Sequence, residues 1–221
     1  MLKDKVLFLD GEALVIDKPA GLPVDPPRDG GISVASYGAE LALGFQRWPT
    51  AVHRLDRDTS GCLLLARNPK AHARFQQAFE AGTVQKRYLA ILAGVPDGEE
   101  GVIDLPLAKV STREAGWRMV PDPKGKSART PWRLLRTHEG HSLVEFRPET
   151  GRTHQIRVHA LEGLGAAVLG DPVYGPVHGI ADPRGMMLHA AALIVPRTGK
   201  PDIAAEAPLP ARFAQAGFGD G

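Results

Sequence analysis

A chain of 221 residues with 43% hydrophobic and 24% charged residues can bury a sizeable core, and this ordinary globular composition excludes a disordered chain. The formal net charge of +2 hides an asymmetry: residues 105 to 160 hold 11 lysines and arginines against 5 acids, a net of +6, while the remaining 16 cations and 20 acids give −4. Clustered cations suit a surface that faces a polyanion, although a solvated, salt-bridged face has the same composition. The single cysteine, Cys62, excludes an intramolecular disulfide, and its apolar setting CLLLA reads as a buried, inert thiol in a reducing cytoplasm. The N-terminal MLKDKVLFLDGEALVIDK breaks its apolar bursts with charges, which excludes a secretory signal and a membrane span.

In chain order, Val6 to Leu9 and Ala13 to Asp17 predict a hairpin around Asp10-Gly11-Glu12. A Pro/Gly-rich loop, Lys18 to Gly31, precedes a helix over Ser33 to Leu43 with serine near its start. A strand follows at Cys62 to Ala66, then a helix over Pro69 to Ala81 with an early proline, Phe75 and Phe79 one turn apart, and Gly82 as its stop. Arg87 to Ala93 returns to strand. Val110 to Ala128, polar, basic and rich in turn formers, predicts a long loop. A second hairpin is expected from Pro131 to Thr137 and Ser142 to Arg147, then a short helix over Thr153 to Leu161 stopped by Gly163 and Gly165. Strands at Ala166 to Leu169 and Leu188 to Val195 and a closing helix at Pro208 to Ala216 complete the chain. Strands outnumber helices and adjoin in sequence, so the expected class is α+β with a mixed, mostly antiparallel sheet; no linker separates two autonomous domains.

Three stretches could carry chemistry. In HRLDRDTSG (His53 to Gly61) an extended backbone would put Arg54, Asp56 and Asp58 on one side, with arginines favouring the ionised form of either aspartate. Such a carboxylate is a nucleophile or base, or simply a turn cap. In PETGRTHQIRVHA (Pro148 to Ala160), Arg152, His154, Arg157 and His159 crowd beside Ile156 and Val158, an arrangement for holding a carboxylate or phosphate against an apolar wall. The five-residue spacing of His154 and His159 splays their rings apart on a helix, which argues against zinc. In KRYLAILAG (Lys86 to Gly94), Tyr88 can present a flat face to a base or belong to the core; Trp48, Trp117 and Trp132 carry the same ambiguity.

With KPAGLPV (Lys18 to Val24), LGDPVYG (Leu169 to Gly175) and LHAAAL (Leu188 to Leu193), these stretches stand in the order found in the RluA family of pseudouridine synthases, which the chain resembles from about residue 6 to about residue 200. The resemblance implies one catalytic domain over residues 1–221, a sheet bent around a central cleft with flanking helices, and no metal or cofactor. It implies that Asp56 is the catalytic aspartate, that Tyr88 packs against the target base, that Arg157 pairs with the aspartate, and that Arg54 helps displace the base. Asp58 falls on a variable position. The resemblance implies a chain that begins at the catalytic domain, without the S4-like module of many relatives. It is therefore similar to the short members that act on ribosomal or transfer RNA, and is expected as a cytoplasmic monomer with no membrane attachment. RNA grip would fall to the basic segment, with Arg152, His154, Lys124, Lys126 and Arg129 as candidates.

Rival readings stay open on residues alone. Asp56-Arg57-Asp58 supplies the D-x-D of a magnesium-dependent aspartyl phosphotransferase, but neither the preceding residues nor Ser60 suit that loop. A glycosidase using both aspartates would release free base, and an RNA-binding chaperone would tolerate loss of Asp56.

Overall fold

The computed structural model describes residues 1–28, 30–112, 116–175 and 184–219. A 3-10 turn (Leu2–Lys5) leads into β1 (Val6–Leu9) and β2 (Ala13–Lys18), and a second (Val34–Tyr37) runs into the short α1 (Gly38–Leu41). Then come β3 (Thr50–Ala51), β4 (Ser60–Ala66), α2 (Pro69–Glu80), β5 (Gln85–Leu92) and β6 (Glu100–Asp104). The chain continues through β7 (Leu107–Thr112), β8 (Gly116–Pro121), β9 (Arg129–His138), β10 (His141–Phe146) and α3 (Gln155–Leu164), and ends with β11 (Leu188–Val195), β12 (Ile203–Glu206) and α4 (Ala211–Gln215). The class is α+β, as expected. No helix among the described residues is long and apolar enough to cross a membrane. The fold gathers into two compact units: Met1–Lys86 with His189–Pro208, and Arg87–Leu188 with Leu209–Gly221.

In the first unit, β4 is flanked by β2, antiparallel, and by β11, which runs parallel to it at His189↔Ser60 and Ala190↔Gly61. β1 and β12 extend the two sides in antiparallel pairings, and β3 pairs with β4. Every residue of β4 is buried, which explains why SGCLLLA is apolar without alternation: a central strand with both faces covered needs hydrophobic side chains on each. Cys62 and Leu64 join Val15, Ala71, Phe75, Leu193 and Ile203 in one core cluster, and burial pushes the Cys62 thiol up to about 12, so it is inert. The helix α2 begins where its sequence says it should. The Asn68 side chain accepts the Ala71 N–H (2.9 Å), Pro69 needs no intrahelical donor, and Phe75 turns inward.

The second unit is built on the antiparallel order β5-β10-β9-β6, with Tyr88↔Phe146 and Phe146↔Trp132 in register. Ile156 and Ala160 of α3 pack on Ala90, Leu92, Val144 and Phe146, and Gly165 ends the helix at φ 66°. Trp132 is core. The expected loop Val110 to Ala128 is instead largely the antiparallel hairpin β7–β8, in register from Leu107↔Pro121 to Thr112↔Gly116; Arg113 and Glu114 lie outside the described residues. Its strands are mostly exposed, so the alternation that marks a half-buried strand is missing, and backbone pairing alone defines them. The expected strand Ala166 to Leu169 reduces to a single bridge, Leu92↔Val168. Edge strand β6 buries only Ile103, which hid it from a periodicity reading.

Gly61 is held at φ +109°, and a Cβ there would lie 2.2 Å from the Ala190 carbonyl oxygen. Gly61→Ala combines a left-handed backbone with a clash against a paired strand, and should destabilise the protein by about 3 kcal/mol or more, read as a lowered thermal midpoint.

Candidate functional site

The first unit carries HRLDRDTSG. A turn at Arg57 and Asp58 interrupts the segment before β4, so no continuous strand alternates Arg54, Asp56 and Asp58. Instead the Thr59 N–H donates to the Asp56 carbonyl (3.1 Å), closing a turn with Arg57 and Asp58 at its corner. Arg57 donates to Asp58 from Nε (3.1 Å) and Nη2 (3.4 Å), a surface pair between neighbours at the corner of the turn. Leu55, Thr59 and Ser60 are buried, and half-buried Asp56 stands between them at the turn entrance.

Three groups outside the turn fix it. Fully buried Lys18, the last residue of β2, donates from Nζ to the carbonyls of Pro19 (2.9 Å), Leu22 (2.7 Å) and Arg57 (3.0 Å); the Arg57 carbonyl also accepts the Gly21 N–H (2.9 Å). His53 stacks on Phe79 (4.6 Å, 22°) and accepts the Leu64 N–H at Nε2 (3.1 Å). Lost hydration first, then the charge of Lys86, push its pKa down to about 3, so the imidazole is neutral and its accepting nitrogen stays available to the strand. Ser60 Oγ is hydrogen-bonded to His189 Nδ1 (2.9 Å), tying β4 to β11 beside Gly61. Arg54 is exposed and pairs with Asp25 across 3.3 Å; such a surface pair contributes no more than about 1 kcal/mol, so it does not lock the guanidinium.

The second unit carries the other candidates. Tyr88 is half-buried on β5, beside the cluster of Ala90, Phe146 and Ile156. Arg157, on α3, is 5% exposed and makes a bidentate pair with Asp171, Nε to Oδ2 at 2.6 Å and Nη2 to Oδ1 at 2.8 Å. Asp171 also accepts the backbone N–H groups of Val173 (2.8 Å) and Tyr174 (3.0 Å). Burial opposes its charge, but the Arg157 hydrogen bonds and charge and the two amides prevail, holding the carboxyl below its ordinary 3.8. The Arg157 guanidinium also lies over the Tyr174 ring, 5.1 Å from its centroid. Asp171 and Tyr174 belong to LGDPVYG, a stretch to which sequence reasoning assigns no chemistry; its one signal is a carboxylate placed directly after an apolar run.

Around the start of α3, Gln155 organises the remaining basic candidates. Its Oε1 accepts from the Thr150 hydroxyl (2.8 Å) and the Arg152 N–H (2.9 Å), while its Nε2 donates to the Arg129 carbonyl (3.2 Å) and Thr130 Oγ1 (2.9 Å). Arg129 pairs with Glu149, which raises its pKa, and exposed Arg152 donates to the Ser127 carbonyl (2.9 Å). Lys124 and Lys126 are exposed just beyond β8. His154 adopts a left-handed backbone (φ 54°, ψ 17°), uncommon outside glycine, and its Nδ1 meets Tyr174 Oη at 3.0 Å. His159 has both ring nitrogens engaged, by Thr130 Oγ1 (2.9 Å) and the Leu105 carbonyl (3.1 Å), so it is a structural histidine.

Removing one partner of a buried ion pair strands the other, so Asp171→Asn should cost about 3–5 kcal/mol of stability. Because the folded pKa of Asp171 is depressed, its stabilisation is present above the ordinary carboxylate value near 4 and is lost as pH falls below it. Acid titration of thermal stability should show a component in wild type that Asp171→Asn lacks.

Comparison with known proteins extends the picture beyond these interactions. A family described as RNA pseudouridylate synthase matches residues 12–162. An RNA pseudouridine synthase of Zymomonas mobilis is 58% identical over 218 residues, covering 99% of both chains. The ribosomal large subunit pseudouridine synthase D of the same organism is 39% identical over 178 residues, covering 77% of this chain and 56% of that longer protein. Among solved structures, human RNA pseudouridylate synthase domain containing 4 superposes with a TM-score of 0.81 at 27% identity, over 97% of this chain and 92% of that one. With its order of motifs and a family match over most of its length, the chain belongs to the RNA pseudouridine synthases, enzymes that isomerise uridine within RNA.

Proposed function

We propose that this chain converts specific uridines of ribosomal or transfer RNA to pseudouridine, with Asp56, Tyr88 and Arg157 carrying the chemistry, as a cytoplasmic monomer that needs no metal or cofactor. The observation that carries the assignment to Asp56 is its mount. A partly exposed carboxylate stands at the entrance of a turn whose backbone is clamped by the buried Lys18 ammonium, so it is presented without being free to wander.

The reaction breaks the bond from uracil N1 to ribose C1′, turns the base, forms the bond from C5 to C1′, and moves a proton from C5 to N1, so nothing is released. A stacked or paired uridine must first be extruded, at a cost of roughly a few kcal/mol. Arg54, exposed and paired with Asp25 at the surface, can leave that partner and fill the vacated stack, while the Tyr88 ring packs against the base. Cleavage builds oxocarbenium character at C1′, which a carboxylate stabilises, either by attacking C1′ or by taking a ribose proton on the way to a glycal. Arg157, immobilised by Asp171, supplies fixed positive charge. Arg152, His154, Lys124, Lys126 and Arg129 face the RNA backbone.

Asp56→Asn should abolish pseudouridine formation, read by chromatography of nucleosides from digested RNA, while RNA affinity changes by less than about twofold; pseudouridine made by that variant would sink the assignment. Neutralising Lys124 and Lys126 together should weaken RNA binding and lower the salt slope by about one for each phosphate that is no longer neutralised. Unchanged affinity would make that turn a merely solvated face.

A further inference from the structure

One cluster in the second unit is not explained by the reaction at Asp56. Trp117, on β8, is 46% exposed, although tryptophans are highly buried on average. Its ring stacks on the His154 imidazole (4.9 Å, 28°), and the Lys109 ammonium stands over it at 5.0 Å. The ring therefore stands at the surface, stacked on a polar aromatic group. It is propped by a polar aromatic group on an exposed hairpin that, among the described residues, forms a two-stranded sheet of its own.

The prop is itself braced. The left-handed backbone of His154 places the imidazole between Trp117 and Tyr174, edge-on to the tyrosine ring (5.6 Å, 85°). Tyr174 Oη meets His154 Nδ1 and accepts the Met119 N–H of β8 (2.9 Å), so one phenol fixes both the imidazole and the strand that carries Trp117. From there the chain of packed groups continues to Arg157, whose guanidinium covers the Tyr174 ring. Lys109 and Arg118 lie on the hairpin and Lys124 and Lys126 just after it, against Asp122, whose carboxylate is occupied by the Lys124 N–H (2.8 Å).

We propose that Trp117, backed by His154, is a stacking platform for an unpaired nucleotide flanking the target uridine, with Lys109 moving from the ring to the neighbouring phosphate when the base arrives. The proposal rests on the RNA-modifying reading of the site. An indole is a broad platform for any base, and a flexible, exposed lysine above it keeps the face apolar-accessible while supplying the charge that a phosphate needs. Such a platform selects RNA by the presence of a splayed base beside the target, so it favours loops over continuous duplex.

The test uses the full chain with ribosomal and transfer RNA from cells lacking it. Trp117→Leu, which keeps apolar bulk without a π-face, should raise KM about tenfold while kcat changes less than about twofold, and Trp117→Phe should recover most of the loss. Single-stranded oligouridylate should quench tryptophan fluorescence in wild type, and the Trp117-dependent part of that quench should vanish in Trp117→Phe. An unchanged KM in Trp117→Leu, or an equal quench in Trp117→Phe, overturns the platform, while wild-type pseudouridine formation leaves the enzymatic reading standing. Wild type that makes no pseudouridine overturns that reading instead, and the fluorescence comparison still decides the platform.

Discussion

The first unit depends on one buried ammonium. Burying a lysine head group is expensive unless its charge is met by hydrogen bonds, and Lys18 meets it with three backbone carbonyls from two different loops. Separating those loops would strip three hydrogen bonds from a cation in a dry interior. The ammonium thus converts an electrostatic penalty into a geometric rule: the Pro/Gly-rich segment after β2 and the turn of HRLDRDTSG must stay together. The Arg57 carbonyl serves both Lys18 and the Gly21 amide, so the residue after Asp56 is fixed from two sides. The register of β2 on β4 delivers this lysine opposite Gly61, where the closely approaching Ala190 backbone leaves no room for a side chain. Sheet pairing, glycine and buried charge therefore act on the same few ångströms.

The second unit solves a similar problem with the opposite sign. Arg157 is buried, and Asp171 answers it with a two-point fork rather than a single hydrogen bond, which fixes orientation as well as charge. Two backbone amides then orient Asp171, and the Tyr174 ring packs under the guanidinium. A buried pair of this kind is weak evidence for added stability, because desolvation offsets most of the attraction. Its contribution is that a long, flexible arginine has one place to be.

The sequence makes some of this legible and hides the rest for identifiable reasons. Asn68, Pro69 and Phe75 announce α2 because capping and helical spacing are local, and SGCLLLA announces a central strand because burial on both faces leaves a continuous apolar run. The hairpin β7–β8 is not announced, since exposed strands need no hydrophobic alternation. Whether the stretch at Asp56 is extended or turned stays open in sequence because the group that clamps it, Lys18, lies 39 residues from Arg57. The motif order points to Arg157, yet no local rule identifies Asp171 as its partner, because which carboxylate meets which guanidinium is decided by tertiary packing. Gln155 is the same case: a plain amide in sequence, and in the fold the group that binds Thr150, Arg152, Arg129 and Thr130 into one knot.

These constraints also separate the two aspartates that local sequence leaves equivalent. At the corner of the turn, the Asp58 carboxylate accepts from the guanidinium of its neighbour Arg57, and the pair closes on itself. Asp56 takes part in the turn through its backbone, its carbonyl accepting the Thr59 amide. That backbone bond does not involve the carboxylate, so the closure of the turn is set by the main chain. Within one turn, then, the two aspartates carry different duties: the Asp58 carboxylate meets the guanidinium beside it, while the Asp56 carbonyl closes the loop on the Thr59 amide.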